Sequence, residues 1–140
     1  MSKSNFSLDL IKFANLSEKK IVLVVKKTFI ELSADIINGT PVDSGRARGN
    51  WQPAINKFAD TNSLDIEKSK FGTKTIAKVI NKANEFQIGD YLTLTNNLDY
   101  IERLEDGYSH KAPTGMVGLN VERFSNMVDK HAKDIKRKTI

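Results

Sequence analysis

The stretch SEKKIVLVVKKTFIELSADIING, residues 17–39, decides the reading of the fold. Ile21, Val25, Thr28 or Phe29, Leu32 and Ile36 recur at three- and four-residue intervals, which places them on one face of an amphipathic helix. The β-branched run Ile21–Val25 also suits a strand, but the lysines on either side and the continuing period favour helix. Ser17 followed by Glu18 marks the start, although the Glu is not at capping-box spacing. Asn38-Gly39 closes the helix, with Gly39 expected as a left-handed cap.

Before this helix, Leu8 to Ala14 carries enough apolar residues for a short helix or arm, so residues 1–16 are set apart from the body. After it, Thr40-Pro41-Val42-Asp43-Ser44-Gly45-Arg46-Ala47-Arg48-Gly49-Asn50-Trp51 concentrates residues that fix or free the backbone. Pro41 discourages helix at Thr40, so the preceding helix must stop there. Asp43 is placed to accept backbone N–H groups around Gly45 and Arg46. Trp51 brings the chain back against the body as an anchor. Arg46 and Arg48 are spaced to lie on different sides of a turning segment, one pairing internally and the other facing outward.

Trp51 to Ile55 suits a strand that Pro53 confines to an edge. Residues 57–72 are polar and irregular and are expected to form a mobile loop. From Thr73 a second helix presents Ile76, Val79, Ile80, Ala83 and Phe86 as one stripe. Tyr91-Leu92-Thr93-Leu94-Thr95 alternates as a half-buried strand does. Leu98 to Asp106 suits one or two helical turns, with Ile101, Leu104 and Glu105 on one side. Val117, Val121, Phe124, Val128, His131 and Ile135 then predict one long final helix, weakened at its first turn by Gly118. The sum is an α+β domain over residues 1–140: three main helices packed on a small antiparallel sheet, with long loops.

At 140 residues the chain can bury a core without staples, and its 39% hydrophobic and 28% charged residues are those of a soluble globular protein. It has no cysteine, which removes disulfide scaffolds, thiol nucleophiles and Cys-ligated zinc. No long apolar run marks a signal peptide or a membrane span, so the expectation is a soluble protein made in the cytoplasm. The net charge of +5 is partly gathered in Lys130, Lys133, Lys136, Arg137 and Lys138. These cations suit either nucleic-acid contact or a solvated helix face near its C-terminus. The interspersed Asp129 and Asp134 favour the latter.

Catalytic chemistry finds little footing. His131 lies on an apolar stripe, where a packed histidine is the simpler reading, and His110 has no carboxylate close in sequence. Two histidines without HExxH spacing make a weak zinc case, and no cofactor or metal is expected. Glu102, Glu105 and Asp106 are interleaved with Arg103, which favours structural pairing over acid–base work. A bidentate pair between Glu105 and an arginine of the first segment would tie the two segments together. Gly45-Arg46-Ala47-Arg48-Gly49 is not a phosphate loop, because it follows a helix and lacks the GK[ST] ending.

The second segment is Asn96-Asn97-Leu98-Asp99-Tyr100, then Leu104-Glu105-Asp106-Gly107, followed by Ala112-Pro113-Thr114-Gly115-Met116-Val117. Together with residues 40–51 it resembles the small neck, or head–tail joining, proteins of long-tailed bacteriophages. This is the tail-component group near which the lambda minor tail protein Z is placed. The family pattern is Thr-Pro-Val-Asp-Thr-Gly-Arg-x-Arg-x-x-Trp, then Asn-Asn-x-x-Tyr-x-x-x-Leu-Glu-x-Gly, then Gln-Ala-Pro-x-Gly-Met-Val. Ser44 replaces the family Thr, and Lys111 stands where Gln is common. The resemblance implies a structural virion protein without enzymatic activity, located at the neck or tail. It would contact head-closure, tail-terminator or tail-tube proteins, form a homo-oligomeric ring, and lie near DNA. It makes Pro41, Asp43, Gly45, Arg46, Arg48, Trp51, Asn96, Asn97, Tyr100, Leu104, Glu105, Gly107, Pro113, Gly115 and Met116 the expected assembly residues. The alternative from the residues alone is a small basic nucleic-acid-binding protein using Arg46, Arg48 and the C-terminal cations.

Overall fold

The computed structural model describes residues 16–42, 44–107 and 115–137. Helix α1 spans Glu18–Gly39. Ser17 is its N-cap, extended at φ −66° and ψ 161°, and its Oγ accepts the Lys20 N–H at 3.3 Å. The helix ends where Pro41 requires, with Thr40 extended at φ −80° and ψ 129° and its N–H donated to the Ile37 carbonyl. Gly39 is therefore the last helical residue and not the left-handed cap its position suggests. The proline stops the helix before a cap is needed.

The helix buries Val24, Thr28, Ser33, Ile36 and Ile37. This line is rotated from the expected one: Val25, Phe29 and Leu32 are only half-buried. Along α1 two apolar clusters form. One joins Ile36, Ile37, Trp51, Val79 and Met116, with Leu94, Ile101 and Leu104 packed against it. The other joins Val24 to Val128, Ala132 and Ile135.

After a single turn, α2 (Arg46–Gly49), strand β1 (Gln52–Ile55) pairs antiparallel with β2 (Leu92–Thr95), Gln52 opposite Thr95 and Ile55 opposite Leu92. Pro53 is tolerated because β1 has only this one ladder partner. Helix α3 (Thr73–Ala83) buries Thr75, Val79 and Ala83, whereas Ile80, expected on the same stripe, is exposed. The short α4 (Ile101–Glu105) follows β2.

The final helix is two helices. α5 (Val117–Val121) and α6 (Phe124–Lys136) are separated by a turn at residues 122–123, where Arg123 N–H reaches back only three residues to Asn120. Asn120, near the end of α5, is buried, and its Nδ2 donates to the Met116 carbonyl at 2.8 Å, which holds that turn in place, while α6 packs along α1. Helices outweigh strands, and the architecture is α+β. Among the described residues no helix is long and apolar enough to cross a membrane.

Candidate functional site: two converging motif segments

In the first segment, Thr40 is the hub. Its Oγ1 donates to the Ile36 carbonyl at 2.7 Å and accepts Trp51 Nε1–H at 2.9 Å, and the indole is buried in the first apolar cluster. Arg48 closes the end of α1. Its Nε and Nη2 donate to the Thr40 carbonyl at 3.2 and 3.0 Å, and Nη2 also reaches the Asn38 carbonyl at 2.9 Å. A cation suits these orphan carbonyls at the negative end of a long helix. Burial lowers the pKa of this guanidinium, and the negative charge of Glu67 opposes that effect. Arg46 is exposed, so the two arginines divide inward and outward as their spacing suggests.

The structure adds a residue that the sequence did not single out. Glu67, 2% exposed, accepts the Thr75 N–H at 2.7 Å and the Ser69 hydroxyl at 2.8 Å, capping the first turn of α3. Burial alone would raise its pKa; the bonds from Thr75 and Ser69 outweigh burial and hold it below the ordinary value. Ser69 also offers its carbonyl to Arg48 Nη1 at 2.8 Å, so Arg48 and Glu67 are linked through one serine. Gly45 allows this approach. It sits at φ +82°, and a Cβ there would lie 2.8 Å from the Glu67 carbonyl oxygen.

Residues 57–71 form neither helix nor strand, but they are fastened at alternate positions. The Lys57 carbonyl accepts Thr93 Oγ1–H, and those of Ala59 and Thr61 accept from Asn97 and Gln52. Ser63 N–H donates to Asn50, Asp65 pairs with Lys78 at 2.8 Å, and Glu67 and Ser69 bond as above. The intervening residues Phe58, Asp60, Asn62, Leu64, Ile66, Lys68 and Lys70 are all exposed. Over residues 62–68 this two-residue alternation is that of an extended chain, which ends in a turn at residues 69–71 where the Gly72 N–H donates to the Ser69 carbonyl. It defines a strap lying along α2 and β1.

In the second segment, Asn96 Nδ2 donates to the Ala47 carbonyl at 2.9 Å, and Asn97 Nδ2 donates to that of Ala59 at 2.8 Å. Leu104 packs on the cluster that holds Trp51 and Met116. Tyr100 stands at the start of α4 and accepts the Leu104 N–H through its carbonyl, and Gly107 leaves that helix at φ +88°. Glu105 does not pair with an arginine. One carboxylate oxygen accepts the N–H groups of Met116 and Val117, each at 2.8 Å, and the other accepts that of Gly118 at 2.8 Å. The reason is positional: the free amides opening α5 lie within reach of Glu105, while Arg48 is held at the end of α1.

Burial raises the Glu105 pKa, but the three amides outweigh it and hold the carboxyl below its ordinary value. A carboxylate satisfied in its charged form is a poor proton donor. Glu102 and Asp106 are exposed, and among the described residues no group of three or more His, Asp or Glu is placed to hold a metal. His131 Nε2 contacts Glu31 at 2.7 Å while Lys130 holds the other Glu31 oxygen, a clamp between α1 and α6.

Of the expected assembly residues, Trp51, Leu104 and Met116 meet in one cluster. Arg48 and Asn96 reach neighbouring backbone at the end of α1 and in α2. Pro41 is buried beside them. Asp43 and Pro113, with His110 and Lys138, lie outside the described residues. No protein-family model, no curated protein and no solved structure matches the chain.

Proposed function

We propose that this chain is a structural protein of the tailed-phage neck that joins the DNA-filled head to the tail through protein–protein contacts, without catalysis. One observation carries this reading. The polar side chains that distinguish both motif segments (Arg48, Asn96, Asn97, Glu105) are engaged with backbone groups, and so brace loops instead of facing a substrate. Braced loops of this kind keep a contact surface in one shape, which lowers the ordering cost of assembly. The exposed apolar residues on the strap add the kind of surface that protein partners cover.

The test is electron microscopy of particles assembled without this chain in a phage that encodes it. Full heads and complete but unattached tails are expected. Normally joined virions would overturn the reading.

The nucleic-acid alternative has weaker support, because Arg48 is committed to internal carbonyls and only Arg46 of that pair faces outward. Retention on DNA that falls steeply with salt and is lost in Arg46→Ala would favour it.

A further inference from the structure

The extended part of the strap, residues 62–68, has two unequal backbone edges. The inner edge is occupied. Ser63 N–H donates to Asn50 Oδ1 at 2.8 Å, and Glu67 N–H donates to the Gly45 carbonyl at 2.8 Å. The carbonyls of Asp65 and Glu67 also face α2 closely. A Cβ on Gly49 would lie 2.5 Å from the Asp65 oxygen, and one on Gly45 would lie 2.8 Å from the Glu67 oxygen. In an extended chain the N–H and C=O of one residue point to the same edge, and those of the next residue to the opposite edge. The backbone groups of Leu64 and Ile66 therefore face away from the body. Neither residue makes a hydrogen bond among the described residues, and neither do Asn62 and Lys68 in the same row.

The side chains of this row fit one kind of occupant. Leu64 is 98% exposed and Ile66 54% exposed, two residues apart on one side of the chain. A strand edge without a neighbour is ordinarily guarded by charge or proline, and Asn62, Leu64 and Ile66 supply neither. The row then turns positive. Lys68 is exposed, and the exposed Lys74 lines with Ile66 a cavity of about 160 Å³ at the start of α3. Asp65, the acid that shares this cavity, is already held by Lys78 at 2.8 Å. The backbone edge calls for an extended chain, Leu64 and Ile66 for apolar side chains at every second position, and the lysines for carboxylates at one end. Nucleic acid fits less well. The most exposed side chains of the row are aliphatic, and the aromatic ring that follows, Phe71, lies under the Lys70 ammonium at 5.5 Å.

We propose that residues 62–66 are a docking edge to which an extended, apolar and acidic segment of a different protein adds as a strand. Its backbone pairs with Leu64 and Ile66, its alternate apolar side chains cover theirs, and its carboxylates face Lys68 and Lys74. Because the inner edge is fastened, the strap is already extended before the partner arrives, which lowers the ordering cost of the contact. The proposal deepens the neck-protein reading and rests on it for the premise that another protein of the assembly meets this chain.

The test titrates the purified full chain with a short peptide in which valine alternates with threonine and two glutamates stand at one end. It is made with the glutamates first and with the glutamates last, because a free edge accepts either strand direction. One of the two is expected to bind and to slow amide hydrogen exchange at Leu64 and Ile66, read by NMR. Ile66→Pro removes an N–H that the fold itself does not use, so the variant should fold by circular dichroism and bind about tenfold or more weakly. Leu64→Pro takes its place if that variant does not fold. Lysines in place of the glutamates should weaken binding by a similar factor. Failure of both peptides to bind, binding without protection of the two amides, or binding indifferent to the proline would overturn the proposal. Protection that grows with the concentration of the chain alone would assign the edge to a second copy, and equal protection by duplex DNA would assign it to nucleic acid; either overturns it as well. No peptide binding alongside unjoined heads and tails in the particle experiment would sink this contact and leave the neck reading standing. Protected amides alongside normal joining would do the reverse.

Discussion

Asn96 donates from Nδ2 to the carbonyl oxygen of Ala47 at 2.9 Å, so the second motif segment is bonded directly to the backbone of the first. The same side chain accepts the Leu98 N–H through Oδ1 at 3.2 Å, which fixes the amide's orientation. The link is partly buried, and cutting it leaves an unpaired carbonyl. Asn96→Ala is expected to cost about 1–2 kcal/mol in urea unfolding. Asn96→Asp, which keeps the acceptor and loses the donor, should cost at least as much. Wild-type stability in both would mean that the link does not hold the segments together.

Arg46 and Arg48, two residues apart, should behave oppositely. Arg48 uses Nε, Nη1 and Nη2 on three carbonyls, and a lysine has no planar fork with which to replace them. Arg48→Lys should therefore lower stability by roughly 2–3 kcal/mol, while Arg46→Ala stays within about 0.5 kcal/mol of wild type. Thermal and urea melts of both variants measure the difference, and equal losses would contradict the inward–outward division.

Glu105 makes part of the stability acid-sensitive. Its folded carboxyl is held below the ordinary value of 4.5, so its contribution is complete above that value and disappears as pH falls through the lower folded one. Glu67, Glu31 and Asp65 are lowered too and act in the same direction, whereas Asp35, raised by burial and by Glu31, acts against them. The informative quantity is therefore the difference between wild type and Glu105→Gln. The variant should be less stable at neutral pH and lose less on acidification, so the two curves converge below pH 4.5. Parallel curves would rule out the amide cradle as the cause.

Gly115 sits at φ +79°, and a Cβ there would collide with the Glu105 carbonyl oxygen and lie 3.0 Å from its carboxyl carbon. Gly115→Ala combines left-handed strain with displacement of the capping carboxylate. A loss of about 2 kcal/mol or more is expected. A melting temperature equal to wild type would show that the backbone here relaxes freely.

Much of the frame was legible in the residues alone. Ser17 and Pro41 bracket α1, alternation at Tyr91–Thr95 marks β2, and Trp51 is the anchor its position suggests. These are local rules, acting within about four residues. The misreadings have different sources. The Arg–Glu tie gave way to amides eleven or more residues further along that bond Glu105, and Gly39 as a cap gave way to the neighbouring proline, whereas Ile80 on the core stripe and an unbroken last helix followed a local period that the fold did not keep. Nothing in the polarity of residues 57–71 signalled that alternate positions would be fastened, because their partners Asn50, Lys78, Thr93 and Asn97 come from other elements.

By itself, then, the sequence determined the main helical and extended segments and where α1 starts and stops. Backbone sterics and side-chain periodicity are properties of neighbouring residues, so they are written in order along the chain. Only the tertiary structure decided that Arg48 closes α1, that Glu67 caps α3 and that Glu105 cradles α5. A charged side chain goes to the nearest unsatisfied helix end, and which end is nearest depends on how the helices pack.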